Sequence, residues 1–296
     1  MRICVIFNPT ARGEKARRFR PFLDEIARTA TLKATTAVGD ARRLATEAVR
    51  ESFEIVIAAG GDGTLNEVLN GLCDAPNALE QVRLGVLPLG TVNVFARELG
   101  LPTAIHPAWE IILRGRETRI DLPSVEFMAG GKRESRYFAQ MAGAGLDARA
   151  VELVNWRAKK LLGPLAYALA GSHALMGAPC EITVNGGTRP LNTGLVLVGN
   201  GRLYGGPFRV FPRADLRDGL LEVCVFRHAN WLTIARYGPG LLLGGELPPS
   251  AADVFQTASF SITSSRRAPL QVDGEFIGEL PATFSVARGK LRVIIA

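Results

Sequence analysis

The 296-residue chain is 47% apolar and carries 35 Lys and Arg against 28 Asp and Glu, a net charge of +7. Its length suits two cores, and its composition excludes a low-complexity or fibrous protein. The basic excess favours an anionic partner, but no basic run interleaved with aromatics marks a nucleic-acid groove, and no uncharged apolar run reaches the ~18–20 residues that span a bilayer. No signal-peptide pattern opens the chain, and Cys4, Cys73, Cys180 and Cys224 are far apart with no CxxC. They read as reduced core residues of a cytosolic protein.

Residues 2–7 predict a strand, 8–13 (Asn-Pro-Thr-Ala-Arg-Gly) a turn, and 14–30 a helix. A second strand is predicted at 32–38, then Gly39-Asp40-Ala41, with Asp40 as N-cap of a helix to Arg50. The apolar run 54–58 predicts a buried parallel strand. It leads into Gly60-Gly61-Asp62-Gly63-Thr64 and an amphipathic helix carrying Leu65, Val68, Leu69 and Leu72. Thr64 is expected as N-cap or phosphate contact, with Asn66 and Glu67 in the first helical turn. Glycines at a strand-to-helix turn let backbone approach a ligand closely, and the helix start adds unpaired N–H groups and a positive dipole end that suit phosphate. Asp62 puts a carboxylate in the same turn, where it could hold Mg²⁺ or a ribose or orient a phosphate chain. Residues 83–87 predict the next strand, Pro88-Leu89-Gly90-Thr91 the next turn, and 92–99 and 103–113 two helices. The alternation, with ligand-type turns at strand carboxyl ends, predicts an open, largely parallel α/β sheet over residues 1–123.

Residues 124–296 are strand-rich. Strands are predicted at 124–128, 136–141, 180–184, 193–198, 208–211, 220–226, 254–263, 269–272, 282–286 and 291–295, with helical insertions at 146–176 and 230–243. Short strands between Gly, Pro and Asn turns predict a β-sandwich or barrel, and a cleft between the halves is the expected place for a substrate. Gly143-Ala144-Gly145-Leu146-Asp147-Ala148 mimics a dinucleotide fingerprint, but no acidic residue follows ~20 positions on, so it reads as a tight turn and helix entry. No GxxxxGK[ST] phosphate loop is present, and His106, His173 and His228 have no metal-ligand spacing.

Five stretches in order carry a resemblance. IFNPTARG at 6–13, GGDGT at 60–64, LPLGTVNVFARELGLP at 87–102, RADLRDGLLEV at 213–223 and VDGE at 272–275 together resemble the diacylglycerol, sphingosine and NAD kinase superfamily, in its bacterial diacylglycerol kinase-like branch. The resemblance runs from end to end. It implies an NAD kinase/diacylglycerol kinase-like nucleotide-binding domain followed by a β-sandwich-like lipid-substrate domain. The implied activity is ATP- and Mg²⁺-dependent transfer of the γ-phosphoryl group to the hydroxyl of a diacylglycerol-like lipid. Asn8, Pro9, Thr10, Gly13, Thr35, Gly60, Gly61, Asp62, Gly63, Thr64, Asn66, Gly90, Thr91 and Asn93 would hold the nucleotide. Asp273 or Glu275 would be the general base, with Asp121 in support; the residues leave open which of the two reaches the hydroxyl. A structural Mg²⁺ would take the Asp218 side chain and carbonyls of Asp215 and Leu220. Val94 departs from the pattern, standing where the family often has Asp. A sphingoid-base or NAD kinase, or a non-catalytic lipid-binding pseudokinase, are the alternatives.

Residues 148–165 place Val151, Val154, Ala158, Leu161, Leu162 and Leu165 at helical spacing beside Trp156, Arg157, Lys159 and Lys160. The pattern suits either a helix packed on the β-rich half or one lying on an anionic membrane surface. The expected location is cytoplasmic, peripheral at the inner face of the membrane.

Overall fold

A computed structural model describes residues 1–9, 14–153, 180–228, 248 and 250–296. Thr10 and Gly13 lie outside the described residues, as do residues 154–165 of the amphipathic segment and the predicted helix at 230–243. The chain divides into two compact units, Met1–Leu122 with Ala287–Ala296, and Pro123–Val286.

In the first unit, Ile3–Phe7 (β1), Ile55–Gly60 (β3) and Arg83–Pro88 (β4) are almost wholly buried apolar runs, as central strands of a parallel sheet must be. Thr31–Ala34 (β2) lies outside β1, giving the order β2-β1-β3-β4, all parallel. The far end of the long strand Glu275–Ile294 (β17) extends this sheet, with Val293 opposite Leu84. The last strand, expected with the second half, therefore belongs to the first unit. Glu14–Ala27 (α1) and Ile105–Arg114 (α6) cover one face, where Phe22, Ile26, Trp109 and Ile112 pack on Val5, Ile55 and Ile57. Strand side chains alternate, so Cys4, Ile6, Val56 and Ala58 point the other way; they too are buried. Asp40–Arg50 (α2) and Asp62–Asp74 (α3) supply that cover. These two helices approach closely at Gly71, where a Cβ would lie 2.1 Å from the Arg42 carbonyl oxygen. Short helices Ala78–Gln81 (α4) and Val94–Glu98 (α5) flank β4 in sequence.

Asp40 shortens β2 and leaves its expected cap position. Its Oδ2 accepts the Thr36 amide at 2.7 Å, the Thr36 hydroxyl at 2.5 Å and the Ala37 amide at 3.1 Å, which draws residues 36 and 37 into a loop. Gly39 occupies the N-cap instead. The carboxylate of Glu67, from α3, accepts the Gly39 and Ala41 amides at 3.0 Å each, closing the start of α2 from a neighbouring helix.

The second unit is a β-sandwich. One layer runs through Ala252–Thr257 (β14), Leu221–Phe226 (β13), Leu195–Gly199 (β10), Met141–Gly145 (β7), Pro269–Val272 (β16) and the start of β17, every pair antiparallel. The other contains the middle of β17, Ser259–Ser264 (β15), Ile182–Asn185 (β8) and Leu191–Thr193 (β9). Glu117–Ala129 (β5) and Lys132–Tyr137 (β6) form a hairpin. Val196, Val223 and Leu270 from the first layer meet Phe127, Phe138, Ile262 and Phe284 in one core, and Phe260 stacks on Phe284 at 4.7 Å. The predicted strand 254–263 breaks at Ala258 because its halves serve different layers. Conversely, 282–286 and 291–295 are one continuous strand. Leu203–Tyr204 (β11) pairs with Phe208–Arg209 (β12), and Leu146–Leu153 (α7) follows β7.

Candidate active site

In the order β2-β1-β3-β4, the chain leaves β1 and β3 in opposite directions, which opens a crevice at their carboxyl ends. Asn8 and Pro9 follow β1 there and are exposed. Thr35 continues β2 beside them, its amide donating to the Phe7 carbonyl at 2.9 Å, and is buried. Phe7, Asn8, Pro9, Phe19, Arg20 and Leu89 line a cavity of about 340 Å³.

The turns after β3 and β4 are one structure. Leu89 and Gly90 amides donate to the Gly60 carbonyl at 3.0 and 3.2 Å. A Cβ on Gly90 would lie 2.5 Å from Gly61 Cα, and one on Gly60 would lie 2.4 Å from Thr64 Oγ1, so both close approaches require glycine. Gly61 is the N-cap of α3, and Asp62, Gly63 and Thr64 form its first turn. The helix thus starts earlier than expected, and Thr64 is not its cap; glycine serves at that position and Asp62 complements the positive helix end. Gly63 is exposed, with open space where a side chain would stand.

Two other predicted contacts, Asn93 and Asn66, are turned inward. Asn93 is buried at φ 54°; its Oδ1 accepts the Gly90 amide at 2.9 Å and its Nδ2 donates to the Gly90 carbonyl at 2.7 Å. The side chain therefore shapes the Gly90 turn. Asn66 is buried on α3 and accepts from Asn70 Nδ2 at 3.1 Å. Thr91 is exposed, and Val94 is buried at the start of α5. Asp121 is 1% exposed and its Oδ1 accepts the Gly289 amide at 2.7 Å, tying β5 to β17 within the first unit.

In the second unit, Asp273 and Gly274 are the two central residues of the β16–β17 hairpin. Val272 pairs with Glu275, and both tip residues have positive φ, 47° and 81°. That is a type I′ arrangement, for which Asp-Gly is a preferred pair. The Asp273 carboxylate is gripped by backbone: Oδ2 accepts the Ala139 amide at 2.8 Å, and Oδ1 accepts those of Gln140 and Met141 at 3.0 and 3.1 Å. Glu275 is the first residue of β17 and partly exposed.

In the 213–223 stretch, Asp215 Oδ1 accepts the Arg217 amide at 3.0 Å and Asp218 Oδ1 accepts the Leu220 amide at 2.8 Å. Glu222, wholly buried, accepts the Arg213 amide through Oε2 at 2.9 Å; among the described residues its Oε1 has no hydrogen-bond partner but lies 3.9 Å from Arg213 Nε. Burial pushes the Glu222 carboxyl up. The loop offers carboxylate and carbonyl oxygens, a chemistry that fits a hard cation, beside Arg217 Nε, 3.5 Å from Asp215 Oδ1, and Gln256 Nε2, 3.5 Å from Asp218 Oδ2. Among the described residues, however, no three His, Cys, Asp or Glu side chains converge as a metal site.

Sequence reasoning overlooked Gln271, which is buried two residues before Asp273, and Tyr204. A single polar residue inside the apolar strand Pro269-Leu270-Gln271-Val272 was the available signal. Asp147 appeared only within a rejected fingerprint. The glycines of that fingerprint have structural duties: Gly145 takes φ 80° where a Cβ would lie 2.3 Å from the Gly194 carbonyl oxygen.

Two family models match successive parts of the chain. Residues 2–125 match the diacylglycerol kinase catalytic domain, and 140–295 match the YegS C-terminal NAD kinase beta sandwich-like domain. A diacylglycerol kinase of Staphylococcus carnosus strain TM300 is 33% identical over 290 residues, covering 95% of this chain and 90% of that protein. One from Staphylococcus aureus strain MRSA252 is 32% identical over 290 residues, covering 95% and 88%. The crystal structure of a diacylglycerol kinase from Bacillus anthracis strain Sterne, 20% identical, aligns with a TM-score of 0.72 over 100% of this chain and 97% of its own, a likeness of fold. The chain belongs to the diacylglycerol kinase family of lipid kinases, transferases with an alcohol acceptor.

Proposed function

We propose that the protein transfers the γ-phosphoryl group of ATP, with Mg²⁺, to the free hydroxyl of a diacylglycerol-like lipid. The observation that carries this reading is the paired glycine turn. Gly60, Gly61 and Gly90 lie in mutual backbone contact at the start of α3. Bare backbone N–H groups at a helix N-terminus suit a phosphate chain, and Gly63 and Thr64 extend that surface. Asn8, Pro9 and Thr35, with Thr10 and Gly13 outside the described residues, complete the nucleotide contacts. The cavity bounded by Phe7, Phe19 and Arg20 lies in the size range of small-ligand sites.

Phosphoryl transfer asks mainly for positioning and charge compensation. Mg²⁺ supplies that compensation when bound, and Asp62 is the carboxylate that would hold it. Glu275 is assigned as the general base, because the Asp273 carboxylate is committed to three amides. Asp121 supports the site through the strand it anchors rather than by touching the acceptor. The Asp215, Asp218 and Leu220 loop, with Glu222 beneath it, would hold a second, structural Mg²⁺. The enzyme is assigned to the cytoplasm, reaching its lipid at the inner membrane surface. Among the described residues no helix is long and apolar enough to cross a membrane.

The test is [γ-³²P]ATP turnover against diacylglycerol, monoacylglycerol, sphingosine and NAD. Label transfer to diacylglycerol above the others is expected. Preference for sphingosine or NAD would reassign the acceptor, and no transfer with any of them would favour the non-catalytic alternative that Val94 raises.

A further inference from the structure

The hairpin that presents Glu275 rests on a side-chain network beneath it. Gln271 Oε1 accepts the Gly274 amide at 2.8 Å. A backbone N–H only donates, so this end of the side chain is its oxygen and the nitrogen faces away. That nitrogen donates to Asp147 Oδ2 at 2.9 Å and lies 3.3 Å from the Tyr204 hydroxyl. Asp147 stands in the first turn of α7 and is hydrogen-bonded to Tyr204, which packs edge-on against Phe211 at 5.9 Å. Gly143 lies opposite Gln271 across the β7–β16 pair. A Cβ there would come 2.0 Å from Asp147 Oδ2 and 2.9 Å from Gln271 Nε2, so glycine leaves the space the pair occupies. Gln271 is wholly buried, and burial pushes the Asp147 carboxyl up against the opposing pull of its Tyr204 and Gln271 hydrogen bonds.

We propose that Gln271 is a positioning residue for the reaction. Held by Asp147 and Tyr204, it fixes the Gly274 amide and thereby the direction in which Glu275 leaves the turn. Both tip residues hold positive φ, and the Gln271 acceptor fixes the amide of the second of them. The effect on turnover rests on Glu275 being the base; the hold on Gly274 does not.

A reciprocal exchange tests this in the full chain, with [γ-³²P]ATP and dioctanoylglycerol. Gln271→Glu sets a carboxylate against Asp147, and adding Asp147→Asn restores a donor–acceptor pair in the reverse sense. The single variant should lose up to ~10²-fold in kcat, the scale of a small misplacement near the chemistry, with KM for ATP unchanged. Its Gly274 amide should exchange with deuterium faster. The double variant should recover both readouts. A double variant as impaired as the single one, or a Gln271→Glu protein with unaltered Gly274 exchange, overturns the proposal. Altered and rescued exchange with unchanged kcat, alongside a fully active Glu275→Gln, supports the hold on Gly274 and removes Glu275 as base.

Discussion

Asp273 and Glu275 are two positions apart, and the proposed mechanism gives them different work. A carboxylate that accepts three amides in a partly buried turn is fixed in place by charge-assisted bonds. Asp273→Asn keeps one acceptor oxygen, so it is expected to cost ~1–3 kcal/mol of stability, read by urea unfolding. Glu275→Gln should leave stability unchanged and lower kcat by ~10²–10⁴-fold, the range of a general base. Loss of turnover without loss of stability in Asp273→Asn, and the reverse in Glu275→Gln, would exchange the roles. Asp62 is partly exposed in the first turn of α3. Asp62→Ala is accordingly expected to abolish phosphoryl transfer while lowering the melting temperature by no more than the loss of one helix-end charge, and near wild-type turnover would remove Asp62 from the mechanism.

The elements around the nucleotide turns hold one another by their ends. Asp40 closes the loop before α2, while Glu67 reaches from α3 to the first amides of α2. The Thr36 hydroxyl, followed by the Thr36 and Ala37 amides, holds the Asp40 carboxyl well below its ordinary value of 3.8. A carboxyl that is more acidic folded than unfolded contributes stability above the unfolded value and loses it as pH falls through the folded one. The stability difference between wild type and Asp40→Asn should therefore be open at neutral pH and narrow on acidification below pH 3.8. Unfolding curves at stepped pH measure it, and a constant difference would deny the loop its dependence on the ionised carboxylate.

At the scale of the whole molecule, the basic stretch after α7 bears on how the enzyme would meet a lipid surface. α7 is helical over Leu146–Leu153, and Trp156, Arg157, Lys159 and Lys160 follow in sequence. Each basic residue near an anionic surface contributes ~1 kcal/mol. Reversal of Arg157, Lys159 and Lys160 to Glu is expected to weaken co-sedimentation with phosphatidylserine vesicles by orders of magnitude at low salt, while turnover of dioctanoylglycerol persists. Unchanged binding would return the segment to a packing role. By itself the sequence determined the two architectures. Apolar runs ending in Gly60-Gly61 and Gly90 declare buried parallel strands, and the later short strands between turns declare a sandwich, because periodicity and glycine freedom are local properties. Its motifs also marked Asp62 and the Asp273–Glu275 turn. Only tertiary structure decided which of those side chains are engaged inward. Asp273 finds the Ala139 amide 134 positions away, Gln271 finds Asp147 across 124, and the final strand returns to pair with β4. Burial and the choice of hydrogen-bond partner are set by what the rest of the chain brings alongside, and no local pattern encodes that neighbour.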